Sequence, residues 1–196
     1  DVFLPVGRHN QLLCSFSSNK HEFWISLMEK AYMKLMGGYD FPGSNSNIDA
    51  YALTGWIPER ISIRKNDPDF NAVAVFDRLK EGFHAGRCLI TVATGELSDA
   101  ECERTGLVST HAFAVVNMAE ADGVKLLMLK NPWSHLRWKG NYSENDSRWT
   151  PELQKALNYD PKIERSIDNG IFWIDYHSFL NFFDVFYLNW DPELFK

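Results

Sequence analysis

Long apolar runs are missing from this chain. No stretch approaches the roughly 18 residues needed to cross a bilayer, and the opening Asp1-Val2-Phe3-Leu4-Pro5 has no basic region followed by an apolar one. The sequence therefore predicts neither a membrane span nor a leader. Basic residues are also scarce: 20 Lys and Arg stand against 26 Asp and Glu, a formal charge of −6, with no basic stretch longer than the mixed Lys162 to Arg165 segment. That balance argues against nucleic acid as a partner. Cysteine is limited to Cys14, Cys88 and Cys102. An odd set without C-x-x-C spacing suits neither a disulfide framework nor a zinc site, and the three are read as small packing residues in a reducing, cytoplasmic setting. There the acceptor patterns Asn141-Tyr142-Ser143 and Asn145-Asp146-Ser147 would stay bare.

What the chain has in quantity is apolar and aromatic surface. Its 196 residues, 45% hydrophobic and 14% aromatic, can bury a core in one domain or two small ones. Seven tryptophans indicate either a packed interior or a surface that grips an extended ligand.

The apolar spacing predicts a helix over residues 20–36, with Asn19 and Glu22 as its cap, Gly37-Gly38 as its stop, and Phe23, Trp24, Leu27, Met28, Ala31, Tyr32, Leu35 and Met36 as a stripe facing a core. Gly, Ser, Asn and Pro between Tyr39 and Asn47 mark a loop and a subdomain boundary. Further helices are expected around residues 48–54 and 73–84, the latter burying Val73, Phe76, Leu79, Lys80 and Phe83 and ending at Gly86. Residues 88–93 form a buried strand, followed by an acidic loop over 95–103. Residues 110–118 and 124–129, rich in β-branched and aromatic types, then pair through a turn at Asp122-Gly123. A tryptophan-rich loop over 132–149, a short helix after Thr150-Pro151, and strands at 171–174 and 185–190 complete the chain.

The hairpin brings two polar residues toward each other. His111 lies ten residues before Ala121 and Asn131 ten after, so a turn centred near Ala121 makes them cross-strand neighbours about 4.5–5.5 Å apart at Cβ. A slip of one residue breaks this relation. An amide that accepts from one ring N–H fixes the imidazole tautomer and leaves the other nitrogen for proton transfer, and with a thiol nearby the imidazole becomes the cation of a thiolate pair. The plainer reading is a histidine at a strand end with ordinary hydrogen bonds.

The segments Thr110-His111-Ala112-Phe113-Ala114-Val115 and Lys130-Asn131-Pro132-Trp133-Ser134 resemble the His-Ala-Tyr and Asn-Pro-Trp motifs of the calpain family of cysteine proteases. Glu22-Phe23-Trp24, Leu27-Met28-Glu29-Lys30-Ala31-Tyr32 and Asp168-Asn169-Gly170-Ile171-Phe172-Trp173-Ile174 also resemble calpain segments. Gly37 to Ser46 and Asn131 to Trp138 look most like an atypical branch of the family without EF-hands. The resemblance implies an α+β, papain-like fold: an antiparallel, barrel-like sheet with flanking helices in residues 44–196, preceded in residues 1–43 by the tail of the Cys-bearing helical subdomain. It implies His111 as catalytic base and imidazolium partner, Asn131 as the residue that orients it, and Trp133 as an indole shielding their bond, although a core-filling role for Trp133 stands beside this. The nucleophile would lie before Asp1.

Conventional calpains bind calcium in this subdomain through acidic residues. The matching positions hold Arg137, Glu144, Asn169 and Ile171, a set from which an oxygen-rich shell cannot form, so no metal is expected. The function implied is endopeptidase action on polypeptide substrates once the Cys-bearing subdomain is supplied. A non-catalytic interaction module on the same fold is the competing reading.

Overall fold

The computed structural model describes residues 3–64, 66–133, 135–166 and 169–196, so Ser134 and Asp168 of the motifs lie outside the described residues. The chain divides into two units, Asp1–Ser44 and Asn45–Lys196.

Among its described residues the first unit holds one helix, α1 (Trp24–Leu35), which starts later than the spacing predicts. Asn19 and Glu22 do pair, but Asn19 Oδ1 accepts from the His21 N–H at 3.1 Å and its amide donates to Glu22 Oε1 at 3.0 Å. The asparagine thus closes a local turn instead of capping a helix. The expected core stripe is also corrected. Phe23, Trp24, Leu27, Met28, Leu35 and Met36 are exposed, and Ser26 is the residue α1 buries. A unit of about forty residues has too little chain to cover that much apolar surface.

The second unit begins with α2 (Ser46–Thr54), β1 (Ile57–Ser62), α3 (Ala72–His84), β2 (Cys88–Thr94) and α4 (Asp99–Thr105). It continues with β3 (Ala112–Ala121), β4 (Val124–Lys130), α5 (Pro151–Ala156), α6 (Pro161–Ser166), β5 (Ile171–Asp175), α7 (Tyr176–Phe182) and β6 (Phe183–Trp190). Among the described residues the six strands form one antiparallel sheet in the order β1-β6-β2-β3-β4-β5. The α+β class and the antiparallel sheet with flanking helices match the expectation. Alternate side chains of β4 divide the interior: Leu127 and Leu129 join Phe76, Leu79, Phe113, Phe179 and Phe186 on one face, while Leu126 joins Trp149, Leu153, Tyr159 and Trp173 on the other. The long loop after β4 is therefore the second face's cover, with Trp149 stacked on Tyr159 at 4.0 Å.

Several elements differ from the sequence reading. The acidic loop contains α4, nucleated by a capping box in which Ser98 Oγ accepts from the Glu101 N–H and Glu101 Oε2 from the Ser98 N–H. Strand β1 escapes periodicity because it is an edge strand carrying Pro58. Helix α7 is hidden between two apolar strands and starts where Asp175 Oδ2 accepts from the Ser178 N–H at 2.8 Å. Val73, placed in the buried stripe of α3, is exposed, and the stripe runs through Phe76, Leu79 and Gly82. The cysteines are free. Of the tryptophans, Trp138, Trp149, Trp173 and Trp190 are buried in the packed interior, and Trp24 and Trp133 are exposed.

Candidate active site

The hairpin brings His111 and Asn131 together by a route other than simple counting. Asp122 and Gly123, with φ of +52° and +74°, make a two-residue turn, so Ala121 pairs with Val124 and the turn centres one and a half residues beyond Ala121. A regular ladder from that turn would set Asn131 opposite Ala114, on the face away from His111. The ladder is not regular. Val115 pairs with Leu129 and Asn117 with Met128, leaving Val116 as one extra residue, a β-bulge. Beyond it Ala114 faces Lys130. Continued by one pair, this register sets Phe113 across from Asn131, with His111 two residues along on the same side. The two are diagonal neighbours, not direct ones, within reach for side chains of their length.

Their bond has ordinary length. His111 Nε2 lies 2.9 Å from Asn131 Oδ1. The orientation of the amide follows from its other partners: the Trp133 N–H, which can only donate, points at Asn131 Oδ1 at 3.0 Å, and the Asn131 amide group donates to the Leu136 carbonyl at 3.2 Å. The ring nitrogen facing that oxygen must therefore carry its hydrogen, which leaves Nδ1 of the neutral imidazole as the proton acceptor. Asn131 is fully buried, and its own N–H donates to the Gly170 carbonyl at 2.9 Å. An amide held through three of its residue's atoms can keep one imidazole orientation without being able to take the proton itself.

Trp133 reaches the pair by a turn. Strand β4 ends at Lys130, and the bond from the Trp133 N–H back to Asn131 Oδ1 folds the chain two residues on. The indole is tilted over His111 with ring centroids 4.2 Å apart, and Phe113 meets the same imidazole edge-on at 5.0 Å. At 61% exposure Trp133 fills no core in this chain.

Cys88 opens β2 at the end opposite Thr94, about 20 Å from the His111 side at strand rise, and burial pushes its thiol up to about 12. Cys14 is buried in the first unit, and Cys102 lies on α4. The four positions matched to calcium ligands form a different constellation. Arg137 Nη1 and Glu144 Oε2 make an ion pair at 2.9 Å. Asn169 Oδ1 accepts from the Ile171 N–H, and its carbonyl accepts from Lys130 Nζ. A guanidinium on the carboxylate, an amide oxygen already used and an isoleucine do not fit a hard divalent ion. Among the described residues no group of three or more His, Cys, Asp or Glu could hold a metal.

Sequence reasoning missed Thr94, whose hydroxyl accepts from the His111 N–H, and Val116. No motif marks either. Only the two packed ladders reveal them.

The sequence profile of calpain family cysteine proteases matches residues 1–188, and this chain belongs to that family. Over its whole length it is 58% identical to Calpain-7 of Mus musculus and to Calpain-7 of Homo sapiens. It is 40% identical to the calpain-like protease palB/RIM13 of Aspergillus oryzae. It covers 24% of each of the first two and 22% of the third, so the chain spans about a quarter of the length of these relatives.

Proposed function

We propose that this chain is the His/Asn-bearing part of a calpain-type cysteine endopeptidase and that it acts on polypeptides through a thiol supplied by a Cys-bearing subdomain of the longer protein. His111 is the base and imidazolium partner, Asn131 orients it, and Trp133 shields their bond. The observation that carries the reading is the bond from His111 Nε2 to a buried amide oxygen, which leaves Nδ1 to take the thiol's proton. In the reaction that proton moves from sulfur to Nδ1, the thiolate attacks the peptide carbonyl, and the imidazolium returns the proton to the leaving amine. Water then hydrolyses the thioester with His111 again as base. The exposed apolar stripe of α1 supports assigning the first unit to a larger subdomain that covers it. A cytoplasmic site of action goes with free thiols.

The test compares the full-length protein with this chain alone. The full-length protein should hydrolyse peptides and stop on treatment with a thiol alkylator, whereas the 196-residue chain should show no turnover. Alkylator-sensitive turnover by the isolated chain, or none by the full-length protein, defeats the reading.

Calcium is not part of this proposal. The Arg137 guanidinium supplies the positive charge beside Glu144 that a bound ion would otherwise bring. Because a ligand raises the melting temperature only by binding the folded state, calcium should leave the Tm of this chain unchanged. A concentration-dependent rise with calcium and none with magnesium would overturn that expectation.

A further inference from the structure

His111 stands at a weak place in the sheet. It lies one residue before β3 begins, and Thr110 just ahead of it is held at φ +47°, a left-handed conformation that a β-branched residue rarely adopts. Main-chain pairing there is half complete. The Thr94 N–H donates to the His111 carbonyl at 3.0 Å, but the His111 N–H goes to a side chain, the hydroxyl of Thr94, at 2.9 Å. That hydroxyl donates its own hydrogen to the Val108 carbonyl at 2.6 Å, the nearer of two acceptors, the other being the His111 carbonyl at 3.3 Å. With its one hydrogen so committed, its lone pairs are turned to the His111 N–H. Thr94 is 4% exposed, so water does not stand in for it freely. The β2–β6 register also shifts between Ala93 and Thr94, where the partner changes from Val185 to Phe183, so the ladder is irregular at the residue that grips His111.

We propose that Thr94 is a positioning residue: its hydroxyl ties the loop at Val108 to the main chain of His111 and so sets where the imidazole stands relative to Asn131. This rests on the reading of His111 as the proton-transfer residue. The side chain touches neither substrate nor reacting atoms and acts only through the backbone of His111. A serine keeps both hydrogen bonds. A valine keeps the shape and loses them, leaving the His111 N–H and the Val108 carbonyl without this partner.

Two readouts separate this proposal from the catalytic one. In this chain with ¹⁵N-labelled histidine, His111 assigned by comparison with His111→Gln, the wild type and Thr94→Ser should show a single neutral tautomer with a protected Nε2–H, and Thr94→Val a mixture with fast exchange. In the full-length protein Thr94→Val should lower kcat about 10²-fold, the cost of a misplaced catalytic group, with KM little changed and Thr94→Ser close to wild type. If Thr94→Val does not fold, Thr94→Ala replaces it in both measurements. An unaltered tautomer in the variant without the hydroxyl overturns the positioning role, as does loss of the signal in Thr94→Ser, which would assign the effect to the methyl group. The expected tautomer pattern together with a full-length protein that cleaves no peptide would defeat the proposed function and leave the positioning role standing.

Discussion

Replacing His111 by alanine in the full-length protein should lower peptide hydrolysis by at least about 10⁴-fold, because in the proposed reaction the imidazole both transfers the proton and holds the thiolate. Asn131→Ala should cost less, on the order of 10²-fold, since the amide only orients the ring. The two variants should separate in stability in the opposite sense. His111 is half-buried at a strand end, whereas Asn131 is fully buried and Oδ1 serves both the Trp133 N–H and His111 Nε2. Its loss leaves these part-buried donors without their acceptor, at about 1 kcal/mol or more, visible in a denaturant titration. Trp133 completes the series. Being largely exposed, it should tolerate alanine within about 0.5 kcal/mol of stability. Activity should fall about tenfold as water reaches a bond whose net worth is near 1 kcal/mol, and Trp133→Phe should retain most of it. Equal and minor losses at His111 and Asn131 would instead indicate an interaction module. If Trp133→Ala lost activity only in proportion to unfolded protein, shielding would be excluded.

Gly106→Ala should be among the most damaging single substitutions outside the catalytic pair. Gly106 closes α4 at φ +73°, and a Cβ there would lie 2.0 Å from the Arg137 carbonyl oxygen. The obstacle is backbone, so no side-chain rotation relieves it. Left-handed strain of about 1–2 kcal/mol adds to overpacking of about 1–3 kcal/mol, a total of about 2–5 kcal/mol. The displacement also reaches the site, because the residue before Arg137 is Leu136, whose carbonyl accepts from the Asn131 amide. Gly55 supplies the control: it closes α2 at φ +74° with the same N–H bond to the preceding turn, and nothing lies within 4 Å of its Cβ position. Gly55→Ala should therefore cost only the conformational part, about 1–2 kcal/mol. Equal destabilisation of the two variants in chemical denaturation would show that the Arg137 carbonyl is not the obstacle.

The local chemistry of the chain was legible from residues close together in sequence. Asp122-Gly123 dictated the hairpin because few other pairs accept positive φ at both positions. The spacing of Phe76 and Leu79 dictated α3, and the motifs around His111 and Asn131 identified the family. Where short-range signals met a missing neighbour they misled: the α1 stripe has the period of a buried helix but no surface in its own unit to bury it. Edge strand β1 and helix α7 were invisible because proline masks the one and flanking apolar strands the other.

Whether His111 and Asn131 face one another was not a local question. Counting from the turn carries a parity, and a single unpaired residue reverses it, so the outcome depended on Val116 bulging from a ladder held on its far side by β2. The placement of Trp133 over the imidazole came from a turn closed on Asn131 Oδ1, not from strand alternation. The sequence by itself determined which groups could do the chemistry, because side-chain types and turn residues act over a few positions. Only the tertiary structure decided that an imidazole and an amide twenty residues apart share one face at 2.9 Å, because that distance is set by the registers of three paired strands together.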